Sequence, residues 1–283
     1  MPLNKAKGRM FKSVGWTWNP IAGCTHDCKY CWAKSLTERW GKTFEPKIRE
    51  HFFKDKMPND GSWIFVGSVG DTFCRSMKDA WILRLLKFIK DCKANNKFLL
   101  QTKNPNRFPW FINELEEIKD KIIVGTTLET TWATPWSNAP PTDSRADYLI
   151  YMKKHGFKTF LSLEPLADFQ LVTMKRWINL IQPEAIEIGL ENYTNFTFPP
   201  TDKKILSLLR WLEDSRFEYV LKENLKHLTL SPPICPECGY DIIRAVYKDD
   251  EGMEIDFYDC TGCSHVWKPY NSSVPTKIGE KNG

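Results

Sequence analysis

No apolar run reaches the roughly 18 residues that would suggest a transmembrane helix, so a soluble protein without a membrane-spanning helix is predicted. The basic opening MPLNKAKGRMFKSVGW has no apolar stretch behind it. That argues against a signal peptide and predicts a cytoplasmic protein with no membrane partner. There is no internal repeat and no low-complexity block, which excludes a repeat array. A strong charge imbalance is also lacking. Lys and Arg number 40 against 35 Asp and Glu, a net charge of +5, which permits an anionic partner without demanding one. The lysines are scattered. The densest basic segment is the arm carrying Lys5, Lys7, Arg9 and Lys12, read as a solvated tail.

Cysteine, by contrast, is plentiful. Nine cysteines in a cytosolic-looking chain argue for metal binding rather than a disulfide framework. Cys24, Cys28 and Cys31 form one tight group, and Cys235, Cys238, Cys260 and Cys263 form a second. Cys74 and Cys92 stand apart. Cys74 reads as a buried thiol near the proposed site, and Cys92 carries no functional argument.

Between residues 60 and 225 short β-branched runs alternate with segments of helical period. Strands are predicted at 63–67, 97–101, 121–127, 158–163, 185–190 and 218–221, with a first strand at 13–18. Helices are predicted near 78–94, 109–119, 143–155, 171–181 and 202–214. This alternation indicates βαβ units and a parallel sheet. Six or seven such units predict a full or partial (β/α) barrel, with chemistry at the C-terminal strand ends. The first cysteine group follows the first strand directly. Asp71, Thr102, Lys103, Glu129, Glu164 and Glu191 fall at or after later strand ends. Ser231-Pro232-Pro233 reads as a hinge, dividing the chain into residues 1–229 and 230–283.

The segment GCTHDCKYCWAK spaces its cysteines as Cys-x₃-Cys-x₂-Cys. Three thiolates on one short loop can cap three irons of a [4Fe–4S] cluster, where full ligation needs four cysteines. The fourth iron stays open and can chelate S-adenosylmethionine (SAM), whose reductive cleavage gives a 5′-deoxyadenosyl radical. A structural zinc is disfavoured because no fourth ligand is local. His26, inside the loop, reads as an exposed residue, and Asn19-Pro20 as a turn.

Cys-x₃-Cys-x₂-Cys with Tyr30 before the last cysteine resembles the radical SAM signature. The wider segment WTWNPIAGCTHDCKYCWAK is similar to a phage-associated radical SAM family of unknown function. IFVGSVGDTF, LLQTKNPNRF, VGTTLET, LSLEPL, IEIGLEN and VLKEN resemble later segments of that family in the same order, across residues 13–225. The resemblance implies a partial (β/α)6-type barrel holding a [4Fe–4S] cluster and SAM, supplied with electrons by a donor such as a flavodoxin or ferredoxin. It implies that Gly67, Ser68, Gly70 and Asp71 hold the SAM amino group, and that Thr127 or Glu129 meets its ribose or carboxylate. Gly70 departs from the family, which has serine there. Glu164, Glu191 and Lys103 would lie toward substrate, making Glu129, Glu164 and Lys103 the catalytic candidates. Tyr30 and Trp32 would flank the cluster, with Trp16, Trp18 and Asn19 shaping its loop.

Cys235-x₂-Cys238 and Cys260-x₂-Cys263, separated by a hairpin-like stretch, read as a zinc ribbon in which Zn2+ supplies much of the folding free energy. An auxiliary iron–sulfur cluster is the rival reading. Acidic residues dominate this module, which weakens phosphate binding there. The expected activity is radical SAM chemistry on an unidentified substrate, with a nucleobase in DNA or RNA placed before a peptide or protein. A zinc-stabilised adaptor without catalysis is the alternative of another class.

Overall fold

In the computed structural model, the described residues are 3–8, 10–192, 194, 197–226, 228, 242–248, 254–260, 262–263 and 266–267. Two compact units result, one of Met1–Leu208 with Phe217–His227 and one of Leu209–Arg216 with Leu228–Gly283.

The first unit is built on an eight-stranded sheet. Its strands are β1 (Leu3–Lys5), β2 (Val14–Trp18), β5 (Trp63–Val66), β6 (Lys97–Gln101), β7 (Ile122–Thr127), β8 (Thr159–Leu163), β9 (Ala185–Ile188) and β10 (Tyr219–Leu221), in that spatial order. From β2 to β10 every neighbour is parallel. Strands β3 (Ile21–Ala22) and β4 (Lys47–Ile48) form a small separate pair. The large sheet curls but does not close, so the fold is the open parallel half-barrel expected from the sequence. Every residue of β7, β8 and β9 is buried, as strands covered on both faces must be.

Helices cover the outside. Helix α2 (Asp79–Asp91) buries Ile82, Leu85, Leu86 and Ile89, and α5 (Leu171–Ile181) buries Met174, Trp177, Ile178 and Ile181. Both sets follow the i, i+3, i+4, i+7 stripe of a surface helix. Helix α4 (Thr142–Lys154) adds a charged residue, Arg145, to its buried face. Helix α6 (Asp202–Asp214) follows the predicted bounds. The helix expected at 109–119 is instead a 3-10 segment, Pro105–Phe111, running into a short α3 (Ile112–Glu116). Pro109 has no amide hydrogen for a continuous α-helical ladder. Helix α1 (Trp32–Arg39) was not foreseen, because Ala33 is its one buried residue and it shows no apolar stripe.

The N-terminal arm is not the solvated tail its charge suggested. β1 pairs antiparallel with β2, with Leu3 opposite Trp18, and Lys5 lies over the Trp16 ring. Further on, Met10 and Phe11 pack against a lumen layer of Leu99, Ile123, Phe160 and Ala185. The Phe11 ring meets those of Phe65 and Phe160 at 5.4 and 5.1 Å. An unclosed barrel leaves apolar lumen exposed, and removing that area from water outweighs keeping the arm solvated. Ser13 then donates from its amide to Glu187 Oε1 at 2.9 Å, and Lys222 Nζ reaches the Met10 carbonyl at 3.1 Å and Glu187 at 3.1 Å.

The second unit contains β11 (Ile242–Lys248) and β12 (Glu254–Cys260), paired antiparallel with Ile242 opposite Cys260, and β13 (Val266–Trp267) beside β12. The two predicted strand-like runs are therefore strands. Cys235 and Cys238 lie outside the described residues, as does the Cys260 side chain, so the zinc-ribbon expectation falls there too. Among the described residues no helix is long and apolar enough to cross a membrane.

Candidate functional site

The strand ends open on a cavity of about 400 Å³. Cys24, Cys28 and Cys31 line it together with Ser68, Gly70, Asp71, Lys103 and Thr127. Glu164 and Glu191 reach it from the β8 and β9 side, while Lys7 and Phe11 reach it from the arm. Gly67 and Glu129 do not line it.

Two glycines fix the cysteine loop against the end of β5. Gly23 has φ +84, and a Cβ there would fall 2.2 Å from the Glu45 carbonyl oxygen. Gly70 pairs with Gly23 in an isolated parallel bridge, and a Cβ on Gly70 would lie 2.5 Å from the Gly23 oxygen. At Gly70 the two backbones approach too closely for any side chain. Gly70→Ala is expected to cost about 1–3 kcal/mol through overpacking, read as a lower Tm of the metal-free protein. An unchanged Tm would contradict the close approach.

The three cysteines are free. Cys24 hydrogen-bonds with Cys74, which is fully buried. That bond holds the Cys24 thiol far above its usual range and draws Cys74 down to about 6. Burial pushes the Cys31 thiol up. Cys31 also caps α1, its sulfur accepting the Lys34 amide.

His26 is buried, not exposed as expected. The loop turns inward at Asp27, whose φ is +49, and His26 Nε2 donates to Asp71 Oδ2 at 3.0 Å. A buried carboxylate needs donors, and Asp71 collects four. Besides His26, it accepts from the Phe73 amide at 3.0 Å, the Thr102 hydroxyl at 2.6 Å and the Lys103 amide at 2.8 Å. Burial pushes the Asp71 carboxyl up, but these hydrogen bonds outweigh it and hold the group below its ordinary value. Asp71 thus joins the cysteine loop to the ends of β5 and β6.

A second buried knot forms around Glu129. Glu129 and Arg145 are both 0% exposed, with Arg145 Nη1 at 2.7 Å from Glu129 Oε2. Lys103 and the Tyr30 hydroxyl both reach Glu129 Oε1. Lys103 Nζ also donates to the Tyr30 oxygen at 2.9 Å and lies 5.1 Å from its ring centre. Burial pushes the Glu129 carboxyl up, but Arg145 and Lys103 overcome this and bring it down to about 2. Burial and the Glu129 charge push Tyr30 up. Of this group Lys103 and Tyr30 line the cavity, and Lys103 keeps some exposure.

The other expected residues are placed as follows. Gly67 has φ +81 and begins the turn in which Ser68 Oγ donates to Asn19 Oδ1 at 3.2 Å. Asn19 also accepts the Val69 amide at 3.0 Å, so the turn residue braces this loop as well. Thr127 Oγ1 accepts from Gln101 at 2.9 Å. Glu164 lies 3.7 Å from Lys222 Nζ. Glu191 Oε2 accepts the Thr197 amide and hydroxyl at 2.9 and 2.8 Å. Trp32 is half-exposed at the cavity, whereas Trp18 is fully buried. Trp16 donates to Asp60 at 2.9 Å. Sequence reasoning missed Arg145, Ser137 and Lys222. Arg145 had a usable signal: it stands on the apolar face of α4 beside Ala146 and Leu149.

Residues 11–180 match the family described as protein of unknown function (DUF5131). Uncharacterized protein ORF301 of Acidianus two-tailed virus is 26% identical over 202 residues, covering 63% of this chain and 65% of that protein. The chain therefore spans just under two thirds of this relative. Transcription factor S of Archaeoglobus fulgidus is 38% identical over 53 residues, 17% of this chain and 50% of that protein. A solved structure of a spore photoproduct lyase variant with bound AdoMet and dinucleoside spore photoproduct aligns with TM-score 0.50 and 10% identity. The alignment covers 90% of this chain and 71% of that one. At that identity the likeness is one of fold, an open parallel half-barrel.

Proposed function

The chain belongs to the DUF5131 family of proteins of unknown function, and on that premise we propose that it is a radical SAM enzyme. The observation that carries the reading is the placement of three free cysteines on one loop, all lining a single cavity at the C-terminal ends of a parallel half-barrel. Among the described residues no three His, Cys, Asp or Glu side chains converge tightly enough for a single metal ion. Three thiolates on one loop suit a cluster, whose ligands sit on separate irons. When bound, a [4Fe–4S] cluster with one open iron would chelate SAM and deliver the electron that cleaves it to a 5′-deoxyadenosyl radical.

The chain's own residues would bind, orient and exclude water. Cys24, Cys28 and Cys31 would hold the cluster. Ser68 and the Gly70 backbone would receive the SAM amino group, with Thr127 toward its ribose. Lys103 is the cation best placed to meet the SAM carboxylate, because it lines the cavity while Glu129 and Tyr30 hold its ammonium at the wall. Asp71 has its acceptor positions filled, so its role in this reading is to fix the loop. Glu164 and Glu191 would face the substrate, which we assign as a nucleobase in DNA or RNA. The net charge of +5 and the likeness to a lyase holding a dinucleoside photoproduct favour that class. Cys235, Cys238, Cys260 and Cys263 would hold zinc, and an acidic flavodoxin or ferredoxin would supply electrons.

The test is anaerobic. Protein purified without oxygen and reconstituted with iron and sulfide is expected to carry about four irons. With dithionite and SAM it should release 5′-deoxyadenosine, faster when its nucleic-acid substrate is present. Zinc in place of iron in anaerobically purified protein would sink the reading and favour a non-catalytic adaptor. So would a fully loaded cluster that leaves SAM intact with and without DNA, RNA or peptide.

A further inference from the structure

Each of the three cysteine sulfurs accepts a hydrogen bond, and the donors differ in kind. Cys24 Sγ takes the His26 amide at 3.3 Å, and Cys31 Sγ takes the Lys34 amide at 3.4 Å. Both donors belong to the turn itself. Cys28 Sγ is met by a hydroxyl from elsewhere in the chain, Ser137 Oγ at 3.1 Å. The direction of that bond is set by the form of Cys28 that ligates iron. The Ser137 hydroxyl oxygen accepts the Ala139 amide at 3.1 Å and keeps its proton available to donate. A Cys28 thiolate, the form that ligates iron, can only accept.

Ser137 lies in the connection from β7 to α4, and that connection is laced to the cysteine loop on both sides. The Lys29 amide donates to the Trp136 carbonyl at 2.9 Å, and the Asn138 amide donates to the His26 carbonyl at 2.6 Å. The Trp136 side chain packs with Cys28, Tyr30 and Ala167, against Cys31. Its indole N–H is buried without a hydrogen-bond partner, although buried donors ordinarily find one.

The geometry points to Ser137 as a positioning residue that tunes the cluster's reduction potential by donating its O–H to the Cys28 thiolate, with Trp136 packed on the same ligand to hold the connection in place. This rests on the reading of the three cysteines as cluster ligands. Hydrogen bonds to cluster sulfur stabilise the more negative, reduced state and raise the potential. The connection also begins at Thr127 and Glu129, so the wall that meets Cys28 is anchored at the strand end assigned to SAM.

The experiment is a redox titration of the reconstituted protein, followed by electron paramagnetic resonance of the reduced cluster. Ser137→Ala is expected to move the midpoint to a more negative potential at unchanged iron content. Ser137→Thr, which keeps the hydroxyl, should restore the wild-type midpoint. Equal midpoints for wild type and Ser137→Ala at equal loading would overturn the proposal. If Ser137→Ala does not load, Ser137→Val, which matches the threonine variant in shape but lacks the hydroxyl, decides, and an unchanged midpoint there overturns it. Wild-type protein without any reducible four-iron signal would defeat the cluster reading itself, before any variant is compared.

Discussion

Alanine at Cys24, Cys28 or Cys31 is expected to lower the bound iron to near zero and 5′-deoxyadenosine to background, while Cys92→Ala keeps both. The loop has three thiolates for three irons, so losing one leaves an iron without a protein ligand. Nothing nearby is placed to substitute cleanly. Cys74 is the nearest spare thiol, but it is fully buried and already bonded to Cys24, so it cannot reach the position of Cys28 or Cys31 without moving the loop. Cys92 caps the far end of α2 and serves as the control for losing a thiol. The folds of the variants should survive, since the loop is held by backbone bonds such as Cys24 N to Phe44 O at 3.0 Å and Asp71 N to Gly23 O at 3.1 Å. The measurement is iron and sulfide content beside product yield. Full activity in Cys28→Ala would show that the cysteines do not carry the chemistry. Loss of all activity in Cys92→Ala would show that the assay reports folding instead.

The barrel strands and the cysteine loop were legible for the same reason: their signals are local. A run such as KFLLQ, at Lys97–Gln101, carries its strand character in consecutive residues. The helix at Leu171–Ile181 shows its apolar stripe without reference to anything else. The three cysteines announce themselves by spacing. What escaped depends on distant partners. His26 looks like a loop histidine until Asp71 is brought beside it. Ser137 is an ordinary polar residue until the β7–α4 connection folds over Cys28. The arm reads as a solvated tail because lysines dominate it, yet Phe11 is the residue that decides its place, by filling lumen that an unclosed sheet leaves bare. Glu129 was legible as a strand-end carboxylate, but not its full burial, which requires knowing that Arg145 comes from the next helix to meet it.

That burial makes Glu129→Ala the substitution expected to cost the most stability. The carboxylate neutralises two cations, Lys103 and Arg145, of which Arg145 is 0% exposed. Removing one member of a buried ionic group leaves the others uncompensated, typically about 3–5 kcal/mol. For a domain of this size each kcal/mol lowers Tm by roughly 2–4 °C. Glu129→Ala should therefore melt about 6–20 °C below wild type. The double variant Glu129→Gln with Arg145→Met should recover part of the loss, because it removes the stranded cation as well as the anion. Wild-type stability should carry the same signature in its pH dependence. The folded carboxyl sits at about 2 against an ordinary 4.5, so between these values the unfolded chain binds the proton and the folded one does not. The contribution of Glu129 is accordingly complete above about pH 4.5 and is lost as pH falls toward 2. Denaturant melts of wild type and Glu129→Gln across that window should converge at the acid end. A Glu129→Ala protein as stable as wild type at neutral pH would mean that Lys103 and Arg145 are not held as the structure places them, and the orientation of Lys103 toward the cavity would go with it.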